Sequence, residues 1–405
     1  MKEQILKHRT AQVTLTVLGP DGEPKAGRAV TIRQTRHKFL FGCNTFQVDP
    51  ADGSELQWLY QERFADLFNF ATLPFYWGRY ETAPGILPGE GRAQAIADWC
   101  AGRGIRTKGH PLCWHQVPPG WLADRPPEEI LDRQLERIRR EVKTFAGRVD
   151  TWDVVNEAVI MPDFTRTPSP VADLCRKIGR LELIRQTFAA AQSVNPAATF
   201  ILNDFATGEK CEALLTECLG AGVRIDALGI QSHQHQTLWT DSATRDVCDR
   251  LSRFGKPLHF TENTLISGEI KAKPKWDGRY GDWITTPEGE ELQARQVEQF
   301  YSLLFSHPAV EAVTWWDLSD HGAWMGAPAG LLRKDMTPKP AYEVLKRLVK
   351  QEWWTPEQTL TTDAGGSVHF RAFLGSHTLQ SGGAKRRFEI ERAGSATVVI
   401  RVGAA

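Results

Sequence analysis

Short apolar runs recur through the middle of the chain, separated by longer segments of a different period. They are FLFGCN (39–44), FNFATLPF (68–75), RTKGHPLCWH (106–115), TWDVVNEA (151–158), TFILNDF (199–205), ALGIQSH (227–233), PLHFTEN (257–263) and VTWWDLSD (313–320). Each reads as a strand. Between them apolar residues return every 3.6 positions or so. In EEILDRQLERIRREVKTF (128–145), Ile130, Leu131, Leu135, Ile138 and Val142 share one helical face, and ELIRQTFAAAQSV (182–194) reads the same way. Strand and helix in alternation, eight times over, predict an α/β fold of the (β/α)8 TIM-barrel type. The helical signal lapses over 264–288, which is expected to be a long polar and aromatic loop after the seventh strand, at the barrel end where reacting groups gather.

Both ends of the chain follow a period of two instead. AQVTLTVLGPDGEPKAGRAVTIRQ (11–34) alternates apolar and polar residues around an Asp21-Gly22 turn, as do GGSVHFRAFLG (365–375) and FEIERAGSATVVIRV (388–402). Two or three antiparallel strands alone are marginally stable. The terminal strands are therefore expected to pair into one small accessory β-sandwich, with residues 1–36 and 355–405 flanking a barrel of residues 37–354.

Composition narrows the partner. The 405 residues are 41% hydrophobic and 24% charged, enough for one large domain and an accessory piece. Forty-nine basic residues balance 49 acidic ones, so no global field favours nucleic acid or an anionic membrane, and a neutral partner is expected. The 14 Trp suit sugar stacking as well as core filling. Seven scattered cysteines (43, 100, 113, 175, 211, 218, 248) without a C-x-x-C pair are expected to be free buried thiols, not a zinc knuckle or a disulfide framework. MKEQILKHRTAQ lacks the apolar core of a secretion signal, and no run approaches the ~20 apolar residues of a membrane span. A soluble monomer is expected, secreted or periplasmic if a leader has been removed and cytoplasmic otherwise. GRGIRTKG (102–109) precedes a strand instead of opening a helix, so it is no phosphate loop, and no cofactor is expected.

The ends of the apolar runs carry the chemistry. Asn156 and Glu157 close one, Glu262 another, and His115, Asn203, Asp204, Gln231, His233, Trp316 and Asp320 close the rest. A lone Glu at a strand end more often caps a helix or meets an Arg. Polar residues at so many strand ends of one barrel converge on a single rim. Two carboxylates among neutral hydrogen-bonding groups suit cleavage of a glycosidic bond, one donating a proton and the other attacking.

KGHPLCWH (108–115), WDVVNEA (152–158), LNDF (202–205), GIQSH (229–233), HFTEN (259–263) and VTWWDLSDHGAW (313–324), in that order, resemble glycoside hydrolase family 10, the endo-β-1,4-xylanases, over residues 38–350. The resemblance implies a retaining double displacement on xylan or a related plant polysaccharide. Glu157 would be the acid/base, Glu262 the nucleophile, and Asn156 the residue holding the 2-hydroxyl. It also implies site-lining roles for His110, Trp114 and His115, makes Gln231 and His233 partners of the nucleophile, and makes Trp316 and Trp324 an aromatic platform; Asn203, at its strand end, is expected to bind substrate with them. A retaining pair is expected about 5 to 5.5 Å apart. Trp152 is expected in the core.

Two stretches depart from the family pattern. Thr261-Glu262-Asn263-Thr264 stands where Thr-Glu-Leu-Asp is usual, so the acid that orients the neighbouring His is a Thr, and His233 is expected to use another partner. LPFYWGR (73–79) stands where Pro-Glu-Asn-Glu-Met-Lys-Trp is usual, replacing three sugar-binding polar residues with Pro74, Phe75 and Gly78. Phe75, Tyr76 and Trp77 offer stacking surface or simply pack beneath the rim. The altered stretch admits a glycosidase or transglycosylase acting on a different or decorated β-glycoside. A non-catalytic sugar-binding barrel would leave the two carboxylates unused. A metal-dependent hydrolase built on His110, His115, His233 and His235 would do so too, and no metal is expected.

Overall fold

The computed structural model describes residues 1–165, 167–271, 276 and 278–402. Residues 272–275 and 277, inside the loop expected after the seventh strand, lie outside the described residues. Two compact units are formed. One holds Phe41–Gln296 and Ala309–Ala341, and the other holds Met1–Leu40, Val297–Pro308 and the chain from Tyr342 onward.

Eight strands close a barrel in chain order: β1 (Leu40–Asn44), β2 (Phe70–Pro74), β3 (Arg106–His110), β4 (Thr151–Asn156), β5 (Thr199–Asp204), β6 (Ala227–Ile230), β7 (Leu258–Asn263) and β8 (Val310–Trp315). Neighbours pair in parallel. All eight lie within the apolar runs, apart from a start three residues early in β8. Helices follow the strands, among them Pro127–Thr144 and Arg180–Val194, within two residues of expectation. The first of these buries Ile130, Ile138 and Val142, but also Gln134, Arg137 and Glu141. Gln134 Nε2 donates to the Leu112 carbonyl at 3.0 Å, the Arg137 guanidinium donates to the Leu112 and Phe75 carbonyls, and the Glu141 carboxylate accepts from Arg140. This helix therefore fixes the segments that leave β2 and β3 toward the site.

The barrel interior is filled by side chains of unequal size. Trp152 is fully buried, as expected, against Phe75 and Phe145. It packs so closely on Gly109 that a Cβ there would lie 2.2 Å from the indole ring. Lys108 on β3 and Asp153 on β4 are also fully buried, and they join at 2.6 Å. Each charge would be costly alone, so the pair depends on mutual contact.

The second unit contains a three-stranded sheet in the order Ser367–Phe373, Thr10–Leu18, Gly394–Arg401. A four-stranded sheet in the order Gln358–Thr361, Ala29–His37, Gly375–Ser381, Ala384–Ile390 completes it. The alternation read at both ends of the chain is the reason: Val13, Leu15 and Val17 of one sheet and Val30, Ile32 and Leu379 of the other share one apolar core. N- and C-terminal strands thus build the accessory sheets together. All seven cysteines are buried and free. No helix among the described residues is long and apolar enough to cross a membrane.

Candidate active site

The C-terminal ends of the barrel strands surround a cavity of about 580 Å³. Glu157 follows the last residue of β4, and Glu262 is the penultimate residue of β7. Both line the cavity, together with Asn156, Gln231, His233 and His110. The backbone is strained around it. Val117, Glu157, Ser232 and Met325 take positive φ of 54°, 57°, 56° and 59°. Three of these line the cavity and Ser232 lies between two lining residues. Left-handed conformations of non-glycine residues cost of order 1 kcal/mol or more and persist where the surroundings hold them. At Glu157 the amide donates to the Asn203 carbonyl at 2.8 Å.

Three amides join the two carboxylates. Gln231 Nε2 donates to Glu157 Oε1 at 3.1 Å and to Asn156 Oδ1 at 3.2 Å. Asn203 Nδ2 donates to Asn156 Oδ1 at 2.7 Å and to Glu262 Oε1 at 2.8 Å, while its own Oδ1 accepts from the Thr261 hydroxyl at 2.6 Å. His233 Nε2 is 3.1 Å from Glu262 Oε2, and its Nδ1 is 2.9 Å from the Thr264 hydroxyl. The substituted Thr is itself the partner of His233. A hydroxyl can donate or accept, so it suits either tautomer.

These contacts set the charge of Glu262. Burial pushes its carboxyl up, but His110, the bond from His233 and the charge of Lys108 outweigh burial and hold it below the usual carboxylate range. His110 is oriented from beneath, with Nδ1 2.7 Å from Asp153. Asp153 is lowered in the same way, burial being overcome by Lys108 and His110. A third carboxylate, Asp317, lines the cavity and accepts from the Trp324 amide at 3.0 Å. Burial pushes it up to about 7.

Aromatic rings form the rest of the wall. Trp316 stands edge-on to His110, His233 and Phe46, with centroids 5.5, 5.6 and 5.2 Å away. Trp324 packs on His233 at 4.8 Å and stacks on Trp276 at 5.6 Å. Trp114 also lines the cavity. Of the altered stretch, only Tyr76 and Arg79 do so. Tyr76 contacts His110, Trp114 and Phe46 at 5.6 Å each. Phe75 turns inward onto Tyr80, Phe145 and Trp152. Trp77 is buried as well, its indole donating to Glu81 at 3.0 Å. Gly78 is sealed against the next loop: a Cβ there would meet the Val117 and Pro118 carbonyls at 2.8 and 2.7 Å.

Two sequence expectations need correction. Asn203 does not line the cavity; it is fully buried, and its amide is engaged by Asn156, Glu262 and Thr261. It supports the site without facing it. His115 is also fully buried and outside the lining, whereas its neighbour Trp114 lines the cavity. Gln231, expected as a partner of the nucleophile, accepts from the Glu262 amide through its carbonyl at 3.1 Å, while its side chain binds Glu157 and Asn156. Asp204 and Asp320 serve the framework. Asp204 accepts from the Val159 and Ala206 amides, and Asp320 pairs with Lys339 at 2.7 Å. Of the four histidines, His110 is bound to Asp153, His233 to Glu262 with the His235 ring 5.5 Å away, and His115 is outside the cavity lining. Phe46 and the buried Lys108–Asp153 pair were missed, and of the three candidate stacking rings only Tyr76 reaches the cavity. A charged residue in the middle of each of two apolar runs was the available signal for the pair.

Comparison with known proteins adds relatives. A family model described as Glycosyl hydrolase family 10 matches residues 90–348. The chain is 25% identical over 389 residues to the anti-sigma-I factor RsgI6 of Acetivibrio thermocellus, covering 93% of this chain and 45% of that protein. It is 29% identical over 244 residues to a beta-1,4-xylanase of Dictyoglomus thermophilum, covering 58% of this chain and 66% of the other. The chain thus spans less than two thirds of either relative. The crystal structure of xylanase 10B from Thermotoga petrophila RKU-1 in complex with xylobiose matches 78% of this chain and 95% of its own, with a TM-score of 0.64 at 22% identity. That likeness concerns the fold.

Proposed function

The chain belongs to glycosyl hydrolase family 10, and from that premise we propose that it is a retaining glycoside hydrolase acting on β-1,4-linked xylan or a related plant polysaccharide or oligosaccharide. One observation carries the reading: Glu157 and Glu262 face one cavity and are joined through Asn156, Asn203 and Gln231. Glu262, held ionised by His110, His233 and Lys108, attacks the anomeric carbon. As the glycosidic C–O bond breaks, Glu157 gives its proton to the leaving oxygen. The glycosyl ester on Glu262 has lost its negative charge, which favours Glu157 as base. Glu157 then takes a proton from water, the hydroxyl attacks the same carbon, and the ester bond breaks. Asn156, its Oδ1 already engaged by two donors, presents an amide N–H to the sugar's 2-hydroxyl. Trp316 and Trp324 bracket the reacting ring.

The test uses the asymmetry of the two steps. Glu262→Ala is expected to abolish turnover of every glycoside. Glu157→Ala is expected to keep glycosylation by dinitrophenyl glycosides, whose leaving group needs no proton, and to regain the second step with azide. Equal, total loss in both variants without azide rescue overturns the division of roles. A second reading, a sugar-binding barrel without turnover, draws on the similarity over 93% of this chain to a protein named an anti-sigma factor. Single-turnover release of dinitrophenol by the unaltered protein separates the two.

A further inference from the structure

Two guanidiniums line the cavity, those of Arg79 and Arg279. Both residues are exposed, and neither side chain makes a hydrogen bond or ion pair with a protein group among the described residues. Arg79 is held only loosely, its guanidinium carbon 5.8 Å from the centre of the Tyr76 ring. Arg279 lies along the opposite part of the lining sequence, beside Gly326, where its Cγ is 3.4 Å from the position of a Cβ. Two other arginines are consumed by carboxylates: Arg140 by Glu81 and Glu141, and Arg333 by Glu290. Balancing the charge of the cavity does not require Arg79. Glu262 already has His110, His233 and Lys108 around it, and Asp317, whose charge burial opposes, has the charge of Arg279 near it. A planar fork of donors in a concave wall matches a carboxylate better than any neutral hydroxyl.

We propose that the cavity takes a glycan chain bearing a carboxylate, a uronic-acid substituent on the sugar beside the altered 73–79 stretch, with Arg79 binding that carboxylate and Arg279 adding a second cationic group. This rests on the reading of the cavity as a xylan-type site. The stretch that lost the family's polar sugar contacts thereby gains a charged one, and specificity moves from backbone sugars to their decoration.

Binding by calorimetry to the Glu157→Gln variant isolates recognition from turnover. The probes are xylotriose carrying one glucuronic acid, neutral xylotetraose, and trigalacturonate. The acidic xylo-oligosaccharide is expected to bind about tenfold tighter than the neutral one at low salt, the worth of one charge-assisted hydrogen bond. That ratio is expected to shrink at ~1 M salt, where charges are screened within about 3 Å. In Arg79→Gln it is expected to fall close to one, and Arg79→Lys is expected to keep part of it. A ratio near one in the parent variant, or a ratio that survives both Arg79→Gln and Arg279→Gln, overturns the proposal. Trigalacturonate binding as tightly as the glucuronosyl ligand overturns its xylan-chain part and makes the site one for polyuronides. Failure of the unaltered protein to hydrolyse any xylan would sink the proposed activity, while this inference still stands or falls on the binding ratio.

Discussion

The wall around Glu262 and the wall around Tyr76 face the same cavity and are built on opposite plans. On the first, each functional atom is held by another polar side chain: Asn203 and His233 on Glu262, Thr261 on Asn203, Thr264 on His233. On the second, the side chains that could have bound sugar are withdrawn. Phe75 and Trp77 are buried, Gly78 is pressed against two carbonyls, and Tyr76 reaches the cavity among other rings with Arg79 beside it. The wall proposed to perform bond cleavage is expected to tolerate little change, because a displaced oxygen disturbs several partners at once. The wall proposed to select the glycone is assembled from packing and is expected to be open to rewriting without touching the chemistry.

The sharpest way to break that contrast is Asn203→Asp. It is nearly isosteric, yet it replaces the donor to Glu262 Oε1 and Asn156 Oδ1 with a like charge. On the order of a thousandfold loss of kcat is expected, the size associated with losing a preorganised donor. Retention of near-normal kcat would show that the network is decorative. Measurement is by initial rates on an aryl xyloside, with thermal unfolding as a control for folding.

Asp317 is a carboxylate in the same cavity outside that network. Its folded pKa of about 7 lies above the unfolded value of 3.8, with burial the cause. The folded state therefore holds a proton that the unfolded state has lost over this interval. The associated stability is fully present below about 4 and is lost as pH rises to about 7. Asp317→Asn removes this titration. The variant is expected to gain on the unaltered protein steadily from pH 4 to 7 in urea unfolding, by a few kcal/mol at about 1.4 kcal/mol per pKa unit. Parallel stability curves across that interval would contradict it.

The two walls also differ in how well they could be read from sequence. The barrel was legible because a strand buried on both faces needs consecutive apolar residues, and these stand out between helical periods. Glu157 and Glu262 were legible because each interrupts such a run at its end. Facing was not: Trp114 and His115 adjoin in sequence, and only the closed barrel decides which turns inward. The same holds for Asn203, whose place at a strand end suggested a ligand but whose amide is consumed by its neighbours. The 73–79 stretch could be recognised as altered, while the division of its aromatics into buried Phe75 and Trp77 and lining Tyr76 required the packing of Tyr80, Phe145 and Trp121.

Thr264 tests the first wall more gently. Thr264→Val removes the hydroxyl from His233 Nδ1 and leaves a half-buried imidazole nitrogen without it. About a tenfold fall in kcat is expected, corresponding to roughly 1–1.5 kcal/mol for a neutral hydrogen bond near a charged group. Thr264→Ser is expected to recover most of it. An unchanged rate in Thr264→Val would mean that Glu262 alone orients His233.

The smallest effect tests the second wall. Where Glu, Asn and Lys usually hold the sugar beside the reacting one, each hydrogen bond to a charged group would contribute roughly 1.5–3 kcal/mol. Here Pro74, Phe75 and Gly78 replace them, and the structure leaves no route back through Gly78: any side chain there starts 2.7 Å from the Pro118 carbonyl. Tyr76 still offers ring surface, and stacking supplies part of what the lost bonds gave. Adding neutral xylose units on the glycone side is therefore expected to raise kcat/KM only a few-fold per sugar from xylobiose to xylotetraose. The readout is kcat/KM along that unsubstituted series, with cleavage positions assigned by reducing-end labelling so that glycone and aglycone extension are not confused. A steep climb confined to glycone extension would mean that Tyr76, Phe46 and their neighbours bind a second sugar as firmly as charged residues do, and the two walls would then differ in composition but not in strength.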